Sequence, residues 1–188
     1  MRRVLRRSGL DRRRHSLDSY RMPMRVRDFM ESVQELTLAR LPDDLRESCT
    51  ARVRFVWFQV HFHSPKVHYE VWLTRKTERI EIGLHFEGPQ EFSYRWAERF
   101  ADHMAEVQAG CGPQLELEEW TASWARLHET IPYDPPSPAL AEEIATRLSR
   151  LITVCQPIIE AERDNVGEPV DEPKKVSPRR RWGRSQKR

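Results

Sequence analysis

Seven histidines occur in this 188-residue chain, and three of them, His63, His68 and His85, fall on alternating apolar–polar segments that can fold back on one another. Imidazoles on neighbouring antiparallel strands stand about 4.5–5.5 Å apart at Cβ. Three such rings would offer nitrogen ligands to zinc or another divalent metal, with a fourth position left for water. His61 and Glu70, one row behind, are of the types that orient a metal ligand or accept a proton. The same residues also read as the polar outer surface of a sheet, since imidazole is amphipathic and suits a half-covered face.

The segments that must position these rings are residues 53–63, 68–73 and 79–87. In the first, Val56, Phe58, Val60 and Phe62 alternate with Phe55, Trp57, Gln59, His61 and His63. In the second, Tyr69, Val71 and Leu73 oppose His68, Glu70 and Trp72; in the third, Ile80, Ile82, Leu84 and Phe86 oppose Glu81, Gly83, His85 and Glu87. Side chains alternate faces along a strand, so a slip of one residue would invert a whole apolar set. Keeping every apolar residue on one face sets Phe62 opposite Tyr69 and Leu84, Val60 opposite Val71 and Ile82, and Phe58 opposite Leu73 and Ile80. His63, His68 and His85 then form one row on the other face, with His61, Glu70 and Gly83 behind them and Gln59, Trp72 and Glu81 beyond.

Around these strands the helical periods are clear. Residues 25–41 carry Val26, Phe29, Met30, Val33 and Leu36 at helical spacing before Pro42. Residues 90–109 repeat Phe92, Trp96, Phe100, Met104 and Val107, and Gly110, Gly112 and Pro113 stop them. Residues 115–131 fit either a helical stripe or a pair of strands; the short Gly-Pro connection before them favours strands. Ser137 and Pro138 open a last helix, with Ser137 as its cap and Pro157 kinking or ending it.

Charge divides the chain into three parts. Residues 1–27 carry ten arginines against two aspartates, residues 172–188 eight Lys/Arg against one Glu, and residues 28–171 only 14 basic against 26 acidic residues. The net charge of +3 therefore hides an acidic middle between basic ends, and gives no nucleic-acid signal for the domain itself. Residues 1–23 read as a disordered basic segment, with Met22 or Met24 an equally good initiator. Residues 24–163 read as a single domain and residues 164–188 as a disordered basic tail. No apolar run approaches the ~20 residues of a membrane span. Cys49, Cys111 and Cys155 fit neither a disulfide framework nor a zinc module, which favours small buried side chains and a reducing cytoplasm.

The stretch Arg79-Ile80-Glu81-Ile82-Gly83-Leu84-His85-Phe86, Gly112 leading into Leu117-Glu118-Glu119-Trp120, and a closing helix with Cys155-Gln156-Pro157-Ile158-Ile159 resemble a prokaryotic domain family of unknown function. Members of that family occur alone or joined to restriction-type and other predicted nuclease modules. The resemblance covers about residues 53–159 and implies at most an accessory or DNA-defence context. It supplies no catalytic residues to carry over.

The expected fold is α+β: a mostly antiparallel sheet of four to five strands against two or three helices, the N-terminal helix near the opposite sheet face, and disordered basic termini. Glycine-rich phosphate loops, His-Glu-x-x-His and Gly-x-Ser-x-Gly are absent from the sequence. The expected function is a non-enzymatic interaction or accessory module. Its face would comprise Trp57, His61, His63, His68, Glu70, Trp72 and His85, and would meet a protein partner or a second copy. Glu70, Glu81 and Glu87 on that face would repel phosphate. The alternative is a metal-dependent hydrolase using His63, His68 and His85. The tail residues Arg179, Arg180, Arg181, Trp182 and Arg184 form a separate candidate for non-specific nucleic-acid contact.

Overall fold

The computed structural model describes residues 24–169. Among them the chain forms α1 (Val26–Arg40), α2 (Asp43–Ser48), β1 (Thr50–Arg54), β2 (Trp57–His61), β3 (Val67–Thr74), β4 (Arg79–Phe86), α3 (Gln90–Asp102), α4 (Met104–Cys111), β5 (Glu116–Glu119), β6 (Ala125–Pro132) and α5 (Pro138–Val166). The strands make one six-stranded antiparallel sheet in the order β1-β2-β3-β4-β6-β5. The α+β architecture follows the sequence pattern, with one more strand and more helices than expected.

The extra strand comes from the first alternating segment. A two-residue hairpin at Phe55–Val56 splits it, so that Arg54 pairs with Trp57 and Val53 with Phe58. No glycine, asparagine or proline announces this turn. Phe55 itself takes the left-handed backbone (φ 40°) and leaves its ring 85% exposed. A bulky residue rarely accepts that conformation.

Residues 115–131 are a strand pair, β5 and β6, joined through Trp120 and Trp124. The helical repeat at 90–109 breaks at His103 into α3 and α4. Past the break, Gly110 lies against Val154 of α5, where a Cβ would come within 2.7 Å of the valine side chain. The region 42–51 contains the short helix α2.

Ser137 caps α5 as expected, its side chain accepting from the Leu140 backbone N–H at 3.3 Å. Pro157 does not end this helix, which continues to Val166. An interior proline costs about 3 kcal/mol through its missing N–H and its clash with the preceding turn. Burial of Cys155, Ile158 and Ile159 around it offsets that cost.

One core joins Phe29, Met30 and Val33 of α1, Phe58, Val60, Tyr69, Val71, Ile82, Leu84 and Phe86 of the sheet, and Phe92, Trp96, Phe100, Ile144, Leu148 and Ile152 of α3 and α5. The N-terminal helix therefore lies on the same face as the others, packed against α5 and over β1 and β2, and not on the opposite face as its sequence position suggested. The cause is its apolar stripe, which completes the layer over the outer strands that α5 leaves bare. No helix among the described residues is long and apolar enough to cross a membrane.

The free cysteines report this packing. Burial pushes the Cys155 thiol well up, with Cys111 and Glu106 adding to it, and burial raises half-buried Cys111 to about 11, with Glu129 adding and Arg150 opposing. Only the thiolate is alkylated. A raised pKa keeps the folded-state thiolate scarce until the pH nears that value. In native protein, iodoacetamide should therefore leave Cys155 unmodified. The rate at Cys111 should keep climbing past pH 9, where a free cysteine levels off; a plateau near pH 9 would contradict the packing.

Candidate functional site

With the helices on one side, the other face of the sheet carries the residues able to do chemistry. β3–β4 pairing is as the alternation required: Tyr69 opposes Leu84, Val71 opposes Ile82 and Leu73 opposes Ile80. β2–β3 pairing is displaced by two residues from expectation, with Val60 opposite Tyr69 and Phe58 opposite Val71. A two-residue slip preserves which face each side chain takes but changes who meets whom. The longer β2–β3 connection draws Phe62 inward, where its ring meets Tyr69 edge-on at 6.1 Å.

His63 is consequently not in the histidine row. It has left the sheet and joined α5, with Nε2 2.7 Å from Glu160 Oε1 and Nδ1 3.0 Å from Arg163. His68 and His85 are direct cross-strand partners, with ring centroids 5.3 Å apart. The three-histidine set His63, His68 and His85 is thus replaced by the pair His68 and His85. Glu87 joins them: one ligand atom from each of the three lies within 4.8 Å of the others.

The remaining expected face residues are where the alternation placed them. Trp57 opposes Trp72, Gln59 opposes Glu70, and Glu70 opposes Gly83. His61 closes β2 opposite Thr50, and burial, then His68 and Arg52, hold its pKa below the ordinary value. The tail residues Arg179, Arg180, Arg181, Trp182 and Arg184 lie outside the described residues, as do residues 1–23.

β6 and β5 add what the sequence reading missed. Arg126 pairs with His85 across β4–β6 and His128 with Gly83, while Glu118 and Glu116 of β5 face Arg126 and His128. Arg126 joins two carboxylates, donating from Nη1 to Glu81 at 2.6 Å and from Nε to Glu118 at 2.8 Å. Its guanidinium lies 5.1 Å from the Trp120 ring centre. Trp120 folds back from the β5–β6 connection, edge-on to His85 at 5.2 Å and to Trp72 at 6.3 Å, with Trp124 beside it at 5.8 Å. Among the described residues no helix covers this face, and tryptophans shield its charged groups.

Burial here is deep for such groups: His85 is 0% and His68 2% exposed, Glu81 6% and Glu70 8%. Buried charge persists only when paired or hydrogen-bonded. The His68 Nδ1 donates to the Pro65 carbonyl at 2.8 Å, which fixes the proton on that nitrogen and leaves Nε2 to accept from the Gln59 amide at 3.1 Å. Gln59 also donates to Glu70 at 2.5 Å.

His85 sits between two carboxylates. Its Nδ1 is 3.3 Å from Glu87, and its Nε2 is 3.0 Å from Glu81 but off the N–H axis, so that contact acts by charge more than by a directed bond. Burial is the largest single influence and opposes charge on His85. Glu81, Glu87 and Glu70 together outweigh it and raise its pKa to about 9. Burial likewise works against ionised Glu81 and Glu87, yet His85 leaves both below the usual carboxylate range. His128 is held low by burial and by Arg126.

The His85–Glu81 contact depends on Gly83. Residues four apart along a strand have Cα atoms about 13 Å apart. They touch only by leaning over the residue between them, and glycine leaves that space open. A Cβ at Gly83 would come within 2.9 Å of His128 Cβ, 3.1 Å of the Leu127 carbonyl oxygen and 3.2 Å of His85 Nε2.

On backbone grounds alone, alanine for glycine in a strand should stabilise by about 0.5–1 kcal/mol. Here the overpacking, about 1–3 kcal/mol, should reverse the sign. Gly83→Ala is expected to lower the urea midpoint and shift the His85 ring resonances. An unchanged or raised midpoint would show that His85 does not lean over this position.

Compared with protein-family models, curated proteins and solved structures, the chain matches none.

Proposed function

We propose that this protein is a non-enzymatic interaction module that works through the helix-free face of its sheet, and that the partner is a second copy of the same chain. The observation that carries the reading is the distribution of charge along one cross-sheet row. Arg52, Gln59, Glu70, Gly83, His128 and Glu116 are successive partners from β1 to β5. The row begins with an exposed arginine and ends with an exposed glutamate. A two-fold axis parallel to the strands would lay β1 of one copy over β5 of the other and bring Arg52 onto Glu116 twice. A two-fold interface requires such self-complementarity.

Trp57, Trp72 and Trp120, half-buried in the single chain, supply the apolar centre of such a contact. Six strands at ~4.8 Å spacing give a face roughly 25–30 Å wide and about 20 Å along the strands. Two copies would then bury about 1,000–1,200 Å², which meets the lower bound for a specific pair.

The hydrolase alternative is less well supported, because Trp120 lies over His85 where a substrate would have to approach. The resemblance to a domain family of unknown function, found alone or joined to nuclease modules, is compatible with an accessory module.

Sedimentation equilibrium of the full chain should show a reversible dimer. Arg52→Glu and Glu116→Arg should each weaken it about tenfold or more through like-charge contacts. An equimolar mixture of the two variants should restore the dimer, because each contact then has opposite charges. Trp72→Ala should weaken it without unfolding the chain. A monomer at every concentration, or variants that do not differ from the parent, would refute the reading.

A further inference from the structure

We propose that His68, His85 and Glu87 form a binding site for one divalent transition-metal ion, zinc by the character of its ligands. Two imidazoles and a carboxylate are a recurrent three-ligand set for that ion, with a fourth position open. The geometry is already gathered, with one ligand atom from each residue within 4.8 Å of the other two. Such proximity arises often on charged surfaces, but here both rings are at least 98% buried on directly paired strand residues.

The outer partners support the assignment. In metal sites, the ring nitrogen that does not ligate usually donates to a carbonyl or carboxylate, which fixes tautomer and orientation. His68 does this through Nδ1 and the Pro65 carbonyl at 2.8 Å; its Nε2, which accepts from the Gln59 amide at 3.1 Å, would exchange that bond for the metal. His85 has Nε2 against Glu81 at 3.0 Å, leaving Nδ1 on the Glu87 side at 3.3 Å. Glu81 is in turn held by Arg126 at 2.6 Å.

Glu70 is the next group in reach, its Oε2 3.7 Å from His68 Nε2, and is positioned by Gln59. A divalent ion would also compensate the buried carboxylates Glu70 and Glu81 and the half-buried Glu87 that crowd this spot. The site differs from the row expected in the sequence, since His63 is engaged with Glu160 and Arg163 on the helix side.

The test is titration of the tag-free full chain with cobalt(II), followed by zinc(II). One cobalt per chain is expected, with visible absorption bands of a four- or five-coordinate ion that zinc then abolishes. In the zinc-loaded protein the ring resonances of His68 and His85 should move, and those of His63 and His103 should not. His68→Ala and Glu87→Gln should each weaken affinity about tenfold or more, while His63→Ala should not change it. Absence of saturable binding by the parent chain, binding that survives His68→Ala, or shifts confined to His61, His63 or His103 would each overturn the proposal. The resonance measurement uses the unaltered chain, so it stands even if a variant fails to fold.

Discussion

The pairing of β3 with β4 around Gly83 is the constraint on which the rest of this structure depends. It aligns Tyr69, Val71 and Leu73 with Leu84, Ile82 and Ile80 on the helix side. The same register must then place His68 beside His85 and Glu70 beside Gly83 on the other side. Core and polar cluster are two consequences of one alignment, because side chains alternate. Gly83 contributes twice: it leaves room for His85 to reach Glu81 along β4, and it admits His128 from β6. A side chain at this point would meet His128 Cβ at 2.9 Å and strain the packing of β4 against β6.

The core-packing helices lie on one side, and among the described residues the other face satisfies its polar groups without a second layer. It does so with paired charges and tryptophans. Arg126 holds Glu81 and Glu118 together and lies against Trp120, whose ring shields His85. A charged histidine with no exposed surface is stable only because three carboxylates surround it. Removing one member would leave a buried charge uncompensated, which costs more than the pair contributes. This face is therefore rigid beneath and aromatic above. We propose that a surface of that kind serves contact with a protein.

Much of this was legible in the sequence, and the failures have physical causes. Alternation placed Trp57, His61, His68, Glu70, Trp72 and His85 on one face correctly, because burial of Phe58, Val60 and the β3 and β4 apolar sets admits no other parity. It could not distinguish registers two residues apart, since both bury the same side chains. That ambiguity carried His63 into the row. The turn at Phe55–Val56 was hidden because Phe55 adopts a conformation usually left to glycine or asparagine. Arg126, His128 and Glu118 were missed because residues 115–131 also fit a helical period, and no partner strand could be assigned from spacing alone. The position of α1 was misjudged because sequence order does not say which side of a sheet a flanking helix will cover.

We propose the helix-free face as the working surface of the molecule. Of the six tryptophans, Trp57, Trp72, Trp120 and Trp124 belong to it or its rim, whereas Trp96 is buried in the core. Indole N–H relaxation caused by a soluble paramagnetic agent, measured on dilute and on concentrated full-length protein, reads that surface directly. Trp57 and Trp72 should lose relaxation as the protein is concentrated, while Trp96 stays protected throughout. Equal relaxation of Trp57 and Trp72 at all concentrations would contradict it.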